Sequence, residues 1–362
     1  MSSPRRGAPR RASPSQSPNP IFFVAFPKSS RFAPLLFACY GSCMPILIGL
    51  DEAGYGPNLG PLLIAATVWE VSSSPAACDL YTEFAGVVRR PEEAHPQAIT
   101  IGDSKQVYSA GQGLSALEAP LWQALALHTS PDAAPPPSWE ALLQTVLNGP
   151  PPNPAQEPWF AAGLPLPTDP ASLNLPRLEE WRARCAERGI QLRQLAADLI
   201  SPSRFNALNR QTGSKGRSLS ELSLQLVARC VAQLPEPRSP ILVLADKHGG
   251  RNRYHEFLPL VVEDTFITCL EESAQLSRYR AGPFEFRFQT QSERHLPTAL
   301  ASMLAKYLRE LSMRQFNTWW QGQVPGLKAT AGYPVDAARF RRDIAARQAE
   351  LGISDDVLWR EK

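Results

Sequence analysis

One short segment constrains the fold of this chain more than any other: an apolar run that ends in two adjacent acids and a glycine-rich turn. The run is ILIGL at residues 46–50, Asp51 and Glu52 follow at once, and a second apolar run, PLLIAATV, begins at Pro61. Such a run, bounded by turn residues, is typical of a buried strand. Two carboxylates at the end of a buried strand are costly to desolvate. They therefore predict a compensating cation at one edge of a sheet.

Two further acids follow extended segments, and with the first pair they predict a metal site. Asp246 directly follows the apolar run PILVLA, and Glu293 comes shortly after FEFRFQT. Hard divalent cations bind carboxylate oxygens, and two Mg²⁺ or Mn²⁺ ions about 4 Å apart can activate a water and stabilise the leaving oxygen of a phosphodiester. The alternative is that Asp246 and Glu293 are ordinary strand-end acids facing solvent. Asp51 and Glu52, framed by glycines on an apolar strand, fit that alternative less well.

Apolar runs and helical patterns alternate along the chain, which predicts an α/β fold with a mixed central sheet flanked by helices. Helices are expected over residues 114–128, 177–189, 219–234 and 297–320, and further extended segments over 257–263 and 284–290. Pro120 predicts a kink or a restart in the first of these helices.

Proline and charge divide the chain into segments. Residues 1–43 carry six basic and no acidic side chains, and their Pro/Ser/Arg-rich composition predicts a disordered basic extension or an upstream start. Residues 44–315 are predicted to form the main domain. Within it, 13 of the 36 prolines fall between residues 131 and 176, which predicts an insertion with at most a short helix. Residues 316–362 are predicted to form a helical C-terminal extension.

Composition excludes several classes of function. No apolar run approaches the roughly 18 residues of a membrane span. The six cysteines lie far apart with no C-x-x-C pair, which argues against a zinc module or a disulfide scaffold and fits a cytoplasmic protein. The net charge of +3 belongs to the first 43 residues, since residues 44–362 carry 31 basic and 34 acidic side chains. The glycine spacing departs from G-x-G-x-x-G, and no Walker A lysine or G-x-S-x-G motif is present.

The segment GLDEAGYGPNLGPLLIAATV at residues 49–68 resembles the first motif of type 2 ribonuclease H (ribonuclease HII), whose usual form is DEAGRGPLAGPVVAAAV. Five further blocks are similar to family motifs and follow in the family's order. They are GDSKQ at 102–106, ISPSRFNALN at 200–209, the acid at 246, LPTALASMLAKYLRE at 296–310 and GYP at 332–334. The resemblance covers most of residues 46–336, with insertions between the blocks.

The resemblance implies a ribonuclease H-like catalytic domain that hydrolyses the RNA strand of RNA–DNA hybrids, either along a hybrid or at an embedded ribonucleotide. It implies that four acids hold Mg²⁺ or Mn²⁺ in a two-metal site: Asp51, Glu52, Asp246 and Glu293. The last of these is displaced, because counting back from Lys306 aligns the family's fourth aspartate with Ser292.

The chief departure from the family is Tyr55, because Gly-Tyr-Gly replaces the Gly-Arg-Gly that senses the ribose 2′-hydroxyl. Gly54 and Gly56 retain a close backbone approach, but the cation is lost. The resemblance and the nearby basic residues together predict a set of substrate-binding residues. They are Gly54, Tyr55, Gly56, Lys105, Asn209, Lys247, Arg251, Arg253, Lys306 and Tyr333.

The expected partner is an RNA–DNA hybrid duplex, and the protein is expected to be a cytoplasmic monomer without membrane association. Two alternatives remain open. One is a catalytically weak or inactive nucleic-acid-binding protein on the same fold, which the loss of the cation at Tyr55 and the displaced fourth acid favour. The other is an interaction protein that presents its Pro-rich insertion as a ligand to another domain.

Overall fold

A computed structural model describes residues 44–93, 95, 97–109, 113–129, 134–235 and 239–361. The N-terminal segment 1–43, predicted to be disordered, and residues 131–133 of the predicted insertion lie outside these described residues. Within them, no helix is both long enough and apolar enough to cross a membrane.

The described part of the chain contains a seven-stranded sheet and a separate two-stranded pair. The strands are β1 (Ile46–Ala53), β2 (Leu62–Glu70), β3 (Val88–Arg89), β4 (Ile99–Thr100), β5 (Gln191–Ile200), β6 (Ile241–Asp246), β7 (Ile267–Glu272), β8 (Leu276–Ala281) and β9 (Phe284–Gln289). The large sheet has the order β5-β2-β1-β6-β9-β8-β7, and β3 and β4 form the small parallel pair.

The strand directions make the large sheet mixed. β2 is antiparallel to both β1 and β5, whereas β6 is parallel to both β1 and β9. The strand β8 is antiparallel to both β9 and β7. Because β1, β6 and β9 are parallel neighbours, their carboxyl ends meet at the same edge of the sheet. The topology therefore brings the ends of these three strands together, although they are far apart in sequence.

Helices cover both faces of the large sheet. They are α1 (Leu80–Glu83), α2 (Ser104–Val107), α3 (Ser115–His128), α4 (Trp139–Val146), α5 (Leu178–Arg188), α6 (Pro202–Thr212), α7 (Lys215–Ala232), α8 (Leu296–Gln323), α9 (Pro334–Glu350) and α10 (Asp355–Leu358). Alternate residues of β1 enter two separate cores: Leu47 packs in the core that contains α3 and α8, and Ile48 packs in the one that contains α7. Both faces of β1 are therefore buried, as its continuous apolar run predicts.

A glycine permits the close contact between α8 and β1. A Cβ atom at Gly49 would lie 2.1 Å from the carbonyl carbon of Pro297 in the first turn of α8. The Thr67 hydroxyl of β2 donates to the carbonyl oxygen of the same proline at 2.9 Å. The first turn of α8 therefore rests directly on the middle of β1, which places the next turns of the helix beside the acids that end the strand.

The predicted α/β class, with a mixed sheet flanked by helices, is confirmed. The prediction of an extended segment over 257–263 is wrong, because residues His255–Leu260 form a 3-10 helix. Its apolar side chains Phe257 and Leu258 are buried, and Pro259 has no amide hydrogen for a sheet. The kink or restart expected at Pro120 does not interrupt α3, which continues from Ser115 to His128.

The described part of the Pro-rich insertion, residues 134–176, packs against the main core. Its Trp139 stacks on Phe160 with ring centroids 6.0 Å apart, and Trp159 meets Phe316 of α8 at 5.1 Å. The boundary predicted at residue 315 falls inside α8, which runs unbroken to Gln323. We keep the division into three segments as a proposal.

Candidate active site

Four acids lie where β1, β6 and β9 end. Asp51 and Glu52 lie near the end of β1, and Asp246 is the last residue of β6. Leu50 of β1 pairs with Ala245 of β6. Neighbouring strands lie about 4.8 Å apart, so the ends of β1 and β6 are adjacent. Glu293 lies in a 3-10 turn after β9, and the amide of Ser292 in that turn donates to Asp246 Oδ1 at 3.4 Å.

The pKa values of these carboxyl groups reflect burial and mutual repulsion. Burial raises the pKa of Asp51 well above its usual range, and the neighbouring charges of Glu52 and Glu293 raise it further. Burial and the charge of Asp246 raise the pKa of Glu52 to about 7. Burial also raises the pKa of Asp246 and of Glu293. Four partly or fully desolvated acids that repel one another are stabilised either by protonation or by a cation close by.

These acids have the donor chemistry that Mg²⁺ or Mn²⁺ requires, because carboxylate oxygens are the preferred ligands of hard divalent ions. Within the described ranges, however, no three His, Cys, Asp or Glu side chains are grouped closely enough to hold an ion as they stand. The four carboxylates therefore form an electrostatic cluster rather than a finished coordination shell.

The segment before α2 contributes an acid and a cation to the same cluster. Asp103 caps α2 by accepting from the amide of Lys105 at 3.0 Å, and its charge raises the pKa of both Asp246 and Glu293. The charge of Lys105 acts in the opposite direction and lowers the pKa of Glu52. Lys105 was among the predicted substrate-binding residues, but Asp103, two residues earlier in the same motif, was not among the predicted site residues.

A pair of serines connects α2, α8 and the end of β1. The hydroxyls of Ser104 and Ser302 lie 3.1 Å apart, and the Ser302 side chain hydrogen-bonds Asp51, which lowers the pKa of that carboxyl. Both serines are buried. A hydrogen bond to the charged carboxylate favours ionisation, so Ser302 opposes the effect of burial on Asp51. Neither serine was among the residues predicted from the sequence.

The glycine-rich turn after β1 is held by two buried arginines that the sequence analysis also missed. Gly54 has φ +88°, and a Cβ atom there would lie 2.6 Å from the Arg309 side chain of α8. Arg309 donates to the carbonyl oxygens of Pro61 at 2.5 Å and Leu59 at 3.1 Å. Arg360, near the C-terminus, donates to the carbonyl oxygen of Gly54. No local signal distinguishes these two arginines from the other arginines of the chain.

The Tyr55 side chain lies beside the start of α7. The ammonium of Lys215 lies 4.7 Å from the centre of the Tyr55 ring. The Tyr55 hydroxyl lies 3.8 Å from where a Cβ atom would stand at Gly216, and at the same distance from that position at Gly249. Burial and the charge of Glu52 raise the pKa of its hydroxyl. Tyr55 therefore packs between the start of α7 and the loop after β6.

A groove of about 580 Å³ brings together several of the predicted substrate-binding residues. Gly54, Lys105, Lys306 and Tyr333 all line it. The Tyr333 side chain is 59% exposed, and its ring edge lies 3.6 Å from the position of a Cβ atom at Gly56. The groove thus begins at the glycine-rich turn and extends along α8, and its walls carry Lys105 and a Lys306–Glu310 ion pair at 2.5 Å.

Other predicted substrate-binding residues lie outside this groove. Lys247 is buried, and its ammonium donates to Asn252 Oδ1, the carbonyl oxygen of Ser273 and Ser277 Oγ at 2.6–2.9 Å. This arrangement uses all three of its hydrogens and leaves none for a phosphate. The prediction that Lys247 binds substrate is therefore not supported. Its local role is to attach the loop after β6 to the β7–β8 turn.

The remaining three predicted residues also have internal contacts. Arg251 lies over the Phe257 ring at 4.8 Å and pairs with Glu256 at 3.3 Å. Arg253 has an 88% exposed side chain, 3.6 Å from Glu272. Asn209 is buried in α6, where its backbone carbonyl oxygen accepts from the Gly213 amide, while its side-chain Oδ1 atom has no hydrogen-bond partner among the described residues. None of these three residues lines the groove.

No protein-family model and no curated protein sequence matches the chain. Among solved structures it is similar to ribonuclease HII from Archaeoglobus fulgidus in a PCNA complex, at 13% identity over 88% of this chain and 94% of that one, with a TM-score of 0.37. It is also similar to ribonuclease H2 from Pyrococcus horikoshii, at 13% identity over 86% of this chain and 92% of that one, with a TM-score of 0.36. For Bst ribonuclease HIII in complex with Mn²⁺ the identity is 16% over 92% of this chain and 71% of that one, with a TM-score of 0.36. These solved structures are ribonucleases HII and HIII, the type of enzyme whose motifs the sequence resembles. Similarity this low carries no argument about activity, which must rest on the site itself.

Proposed function

We propose that this protein is a metal-dependent endonuclease that hydrolyses the RNA strand of RNA–DNA hybrids. The observation that carries the proposal is the electrostatic cluster of Asp51, Glu52, Asp246 and Glu293, from three parts of the chain, at one edge of the sheet. Buried carboxylates that destabilise one another are retained where a cation uses them.

In this proposal the four carboxylates hold Mg²⁺ or Mn²⁺. When bound, the ions supply the positive charge that activates a water molecule and stabilises the leaving oxygen, so that the products carry a 3′-hydroxyl and a 5′-phosphate. The hydrogen bond from Ser302 orients Asp51 and opposes the rise in its pKa that burial causes. Lys105 neutralises part of the negative charge of Glu52 before an ion is bound.

The groove beside this cluster is proposed to hold the sugar–phosphate backbone. Lys105 and Lys306 are placed to contact phosphates, which position a nucleic acid without reading its sequence. Tyr333, exposed above Gly56, is placed to pack against a ribose at the glycine-rich turn. Recognition of the 2′-hydroxyl, the group that distinguishes RNA from DNA, then depends on the backbone of that turn.

A cleavage assay tests the proposal directly. The purified protein is incubated with Mg²⁺ or Mn²⁺ and either an RNA–DNA hybrid or a DNA duplex that contains one ribonucleotide. We expect cleavage of the RNA strand, and we expect Asp51→Asn to abolish it while still binding the hybrid. Asp343→Asn is the matched control, because Asp343 lies on the surface of α9 and pairs only with Arg339 among the described residues.

A second candidate is a nucleic-acid-binding protein that does not cleave. It is favoured by the absence of a finished coordination shell within the described residues. If wild-type protein binds the hybrid but leaves both substrates intact with either metal, this candidate replaces the first. The monomeric state and the cytoplasmic location stay predictions in both cases.

A further inference from the structure

The C-terminal end of the chain pairs with the glycine-rich turn. Leu59 and Trp359 form an antiparallel bridge, and the Arg360 amide donates to the carbonyl oxygen of Asn58 at 2.8 Å. The Asn58 side chain donates back to the carbonyl oxygen of Arg360 at 3.3 Å. A segment 302 residues away in sequence thus lies against the turn that follows β1.

Helix α6 holds this C-terminal segment in place. Asn206, which is buried, donates from its amide to the carbonyl oxygen of Trp359 at 2.8 Å and accepts from the Glu361 amide at 2.8 Å. At the surface, Arg210 of the same helix pairs with Asp356 at 3.0 Å and Glu361 at 2.7 Å. The segment therefore has a fixed position relative to the sheet.

The Arg360 side chain extends from this segment beneath the turn. It is fully buried, and one guanidinium nitrogen, Nη2, donates to the carbonyl oxygens of both Gly54 and Pro57. Within the described residues it forms no ion pair with a carboxylate. Its pKa is lowered to about 9 by burial and by the nearby charge of Arg309. A buried cation without a counter-charge is costly, so its contacts with these carbonyl groups and with the Phe205 ring, 5.6 Å away, are the compensation that the structure offers.

These contacts fix the direction of two amide groups in the turn, those of Tyr55 and Asn58. In a trans peptide the C=O of one residue and the N–H of the next point in opposite directions. The Gly54 carbonyl points to Arg360, so the Tyr55 amide points away from it. The Asn58 amide, which follows Pro57, donates to the carbonyl oxygen of Gly332 at 2.7 Å. The amides of Tyr55 and Gly56, by contrast, donate to no atom of the described residues.

We propose that Arg360 is a positioning residue that fixes the Gly54–Pro57 turn, so that the amide of Tyr55 remains available to donate to a sugar–phosphate oxygen of the bound RNA strand. This inference rests on the proposed function. It assigns to the C-terminus of the chain a part in substrate binding, and it provides a cation beneath a turn whose own sequence, Gly-Tyr-Gly, contains none.

The sheet separates this role from the role of the carboxylates. Asp51 and Glu52 are held by pairing with Ala65 and Ile64 of β2, and the turn begins only after this ladder ends. Loss of Arg360 should therefore weaken the contact made by the turn and leave the carboxylates in place. An interaction of this kind, made equally with bound substrate and transition state, changes KM and leaves kcat unchanged.

The test compares three variants of the full chain on a fluorescein-labelled RNA–DNA hybrid. We expect Arg360→Met to raise KM about tenfold with kcat within about twofold of wild type. Arg360→Lys, whose ammonium keeps donors for both carbonyls, should restore most of the affinity. Arg210→Met is the matched control, because it loosens the same segment at the surface without touching the turn, and its KM should equal that of wild type.

Hydrogen exchange of the peptide that covers residues 54–61 gives a readout that needs no cleavage. Exchange there should rise in Arg360→Met and not in Arg210→Met. Equal KM values and equal exchange in both variants, or a kcat that falls as far as KM rises, would overturn the inference. If Arg360→Met does not fold, Arg360→Gln replaces it, since its shorter amide cannot bridge both carbonyl groups.

A failure of the proposed function would appear differently. Wild-type protein that cleaves neither substrate refutes the nuclease. The exchange experiment, with anisotropy of the labelled hybrid in place of KM, still decides whether Arg360 positions the turn. Weaker hybrid binding and faster exchange in Arg360→Met would then support the positioning role, and unchanged values would refute it.

Discussion

Replacing Glu157 with glutamine is expected to stabilise the protein at about pH 8 and to leave its stability unchanged at about pH 4. Glu157 lies in the Pro-rich insertion, directly before the 3-10 turn Pro158–Phe160, and is only 4% exposed. Its Oε1 atom is buried and has no hydrogen-bond partner among the described residues. Burial raises the pKa of this carboxyl group from 4.5 to about 7. The insertion therefore contains an acid that resists ionisation.

The sign of the effect follows from the two protonation states. Well below about pH 4.5 the carboxyl group is protonated in both the folded and the unfolded chain, so it does not change the free energy of unfolding. As pH rises from there to about 7, the unfolded chain releases the proton while the folded protein retains it, and the folded state loses stability. A difference of about 2.5 pH units, at about 1.4 kcal/mol per unit, amounts to about 3 kcal/mol. Glutamine cannot ionise and avoids this loss.

Urea unfolding of wild type and of Glu157→Gln at pH 4, 6 and 8 measures the difference in the free energy of unfolding. We expect it to grow with pH toward about 3 kcal/mol. Glu140→Gln is the control, because Glu140 is an exposed acid of the same insertion and should stay within about 0.5 kcal/mol of wild type. A difference for Glu157→Gln that is the same at all three pH values would refute the reasoning.

Three further predictions follow from packing and charge. Gly49→Ala should destabilise the protein by about 3 kcal/mol or more, seen in thermal unfolding, because its Cβ would lie 2.1 Å from backbone of α8. Glu118→Ala should speed proteolysis within residues 134–176 and cost about 3 kcal/mol, because this buried carboxylate accepts two amide and two hydroxyl hydrogen bonds that connect the insertion to α8. Lys306→Met should reduce the salt dependence of hybrid binding by about one charge, whereas Lys247→Met should lower stability and leave that dependence unchanged. An unchanged salt slope in Lys306→Met would contradict the proposed path of the nucleic acid.

Local patterns in the sequence were sufficient to predict the elements that carry the candidate site. The apolar runs before Asp51 and Asp246 correspond to β1 and β6, and the helix expected over 297–320 corresponds to α8. Each of these elements is buried on most of its surface, so its hydrophobic pattern is continuous and easily recognised. The sequence also indicated that the glycine-rich turn is functional, because glycines beside two acids on a buried strand are otherwise difficult to explain.

The sequence predicted two segments poorly: the edge strand β5 and the 3-10 helix at His255–Leu260. The strand β5 carries Gln191, Arg193 and Gln194 at its partly exposed start, which hides its strand character. The run FLPLVVE at 257–263 has the composition of a strand, but its apolar residues are buried by a 3-10 turn against α7 instead. In both segments the tertiary environment overrides a weak local preference.

Only the tertiary structure decided which charged residues serve the site. Lys247 directly follows Asp246, yet its ammonium is directed into the protein by three acceptors from the β7–β8 turn and its own loop. Arg360 is 306 residues from Gly54, yet it lies directly beneath that residue. The sequence alone determined where the acids and the glycine turn stand, because these depend on neighbours in the chain. The direction of a long cationic side chain depends on acceptors and burial that distant segments supply, so it is set only when the chain has folded.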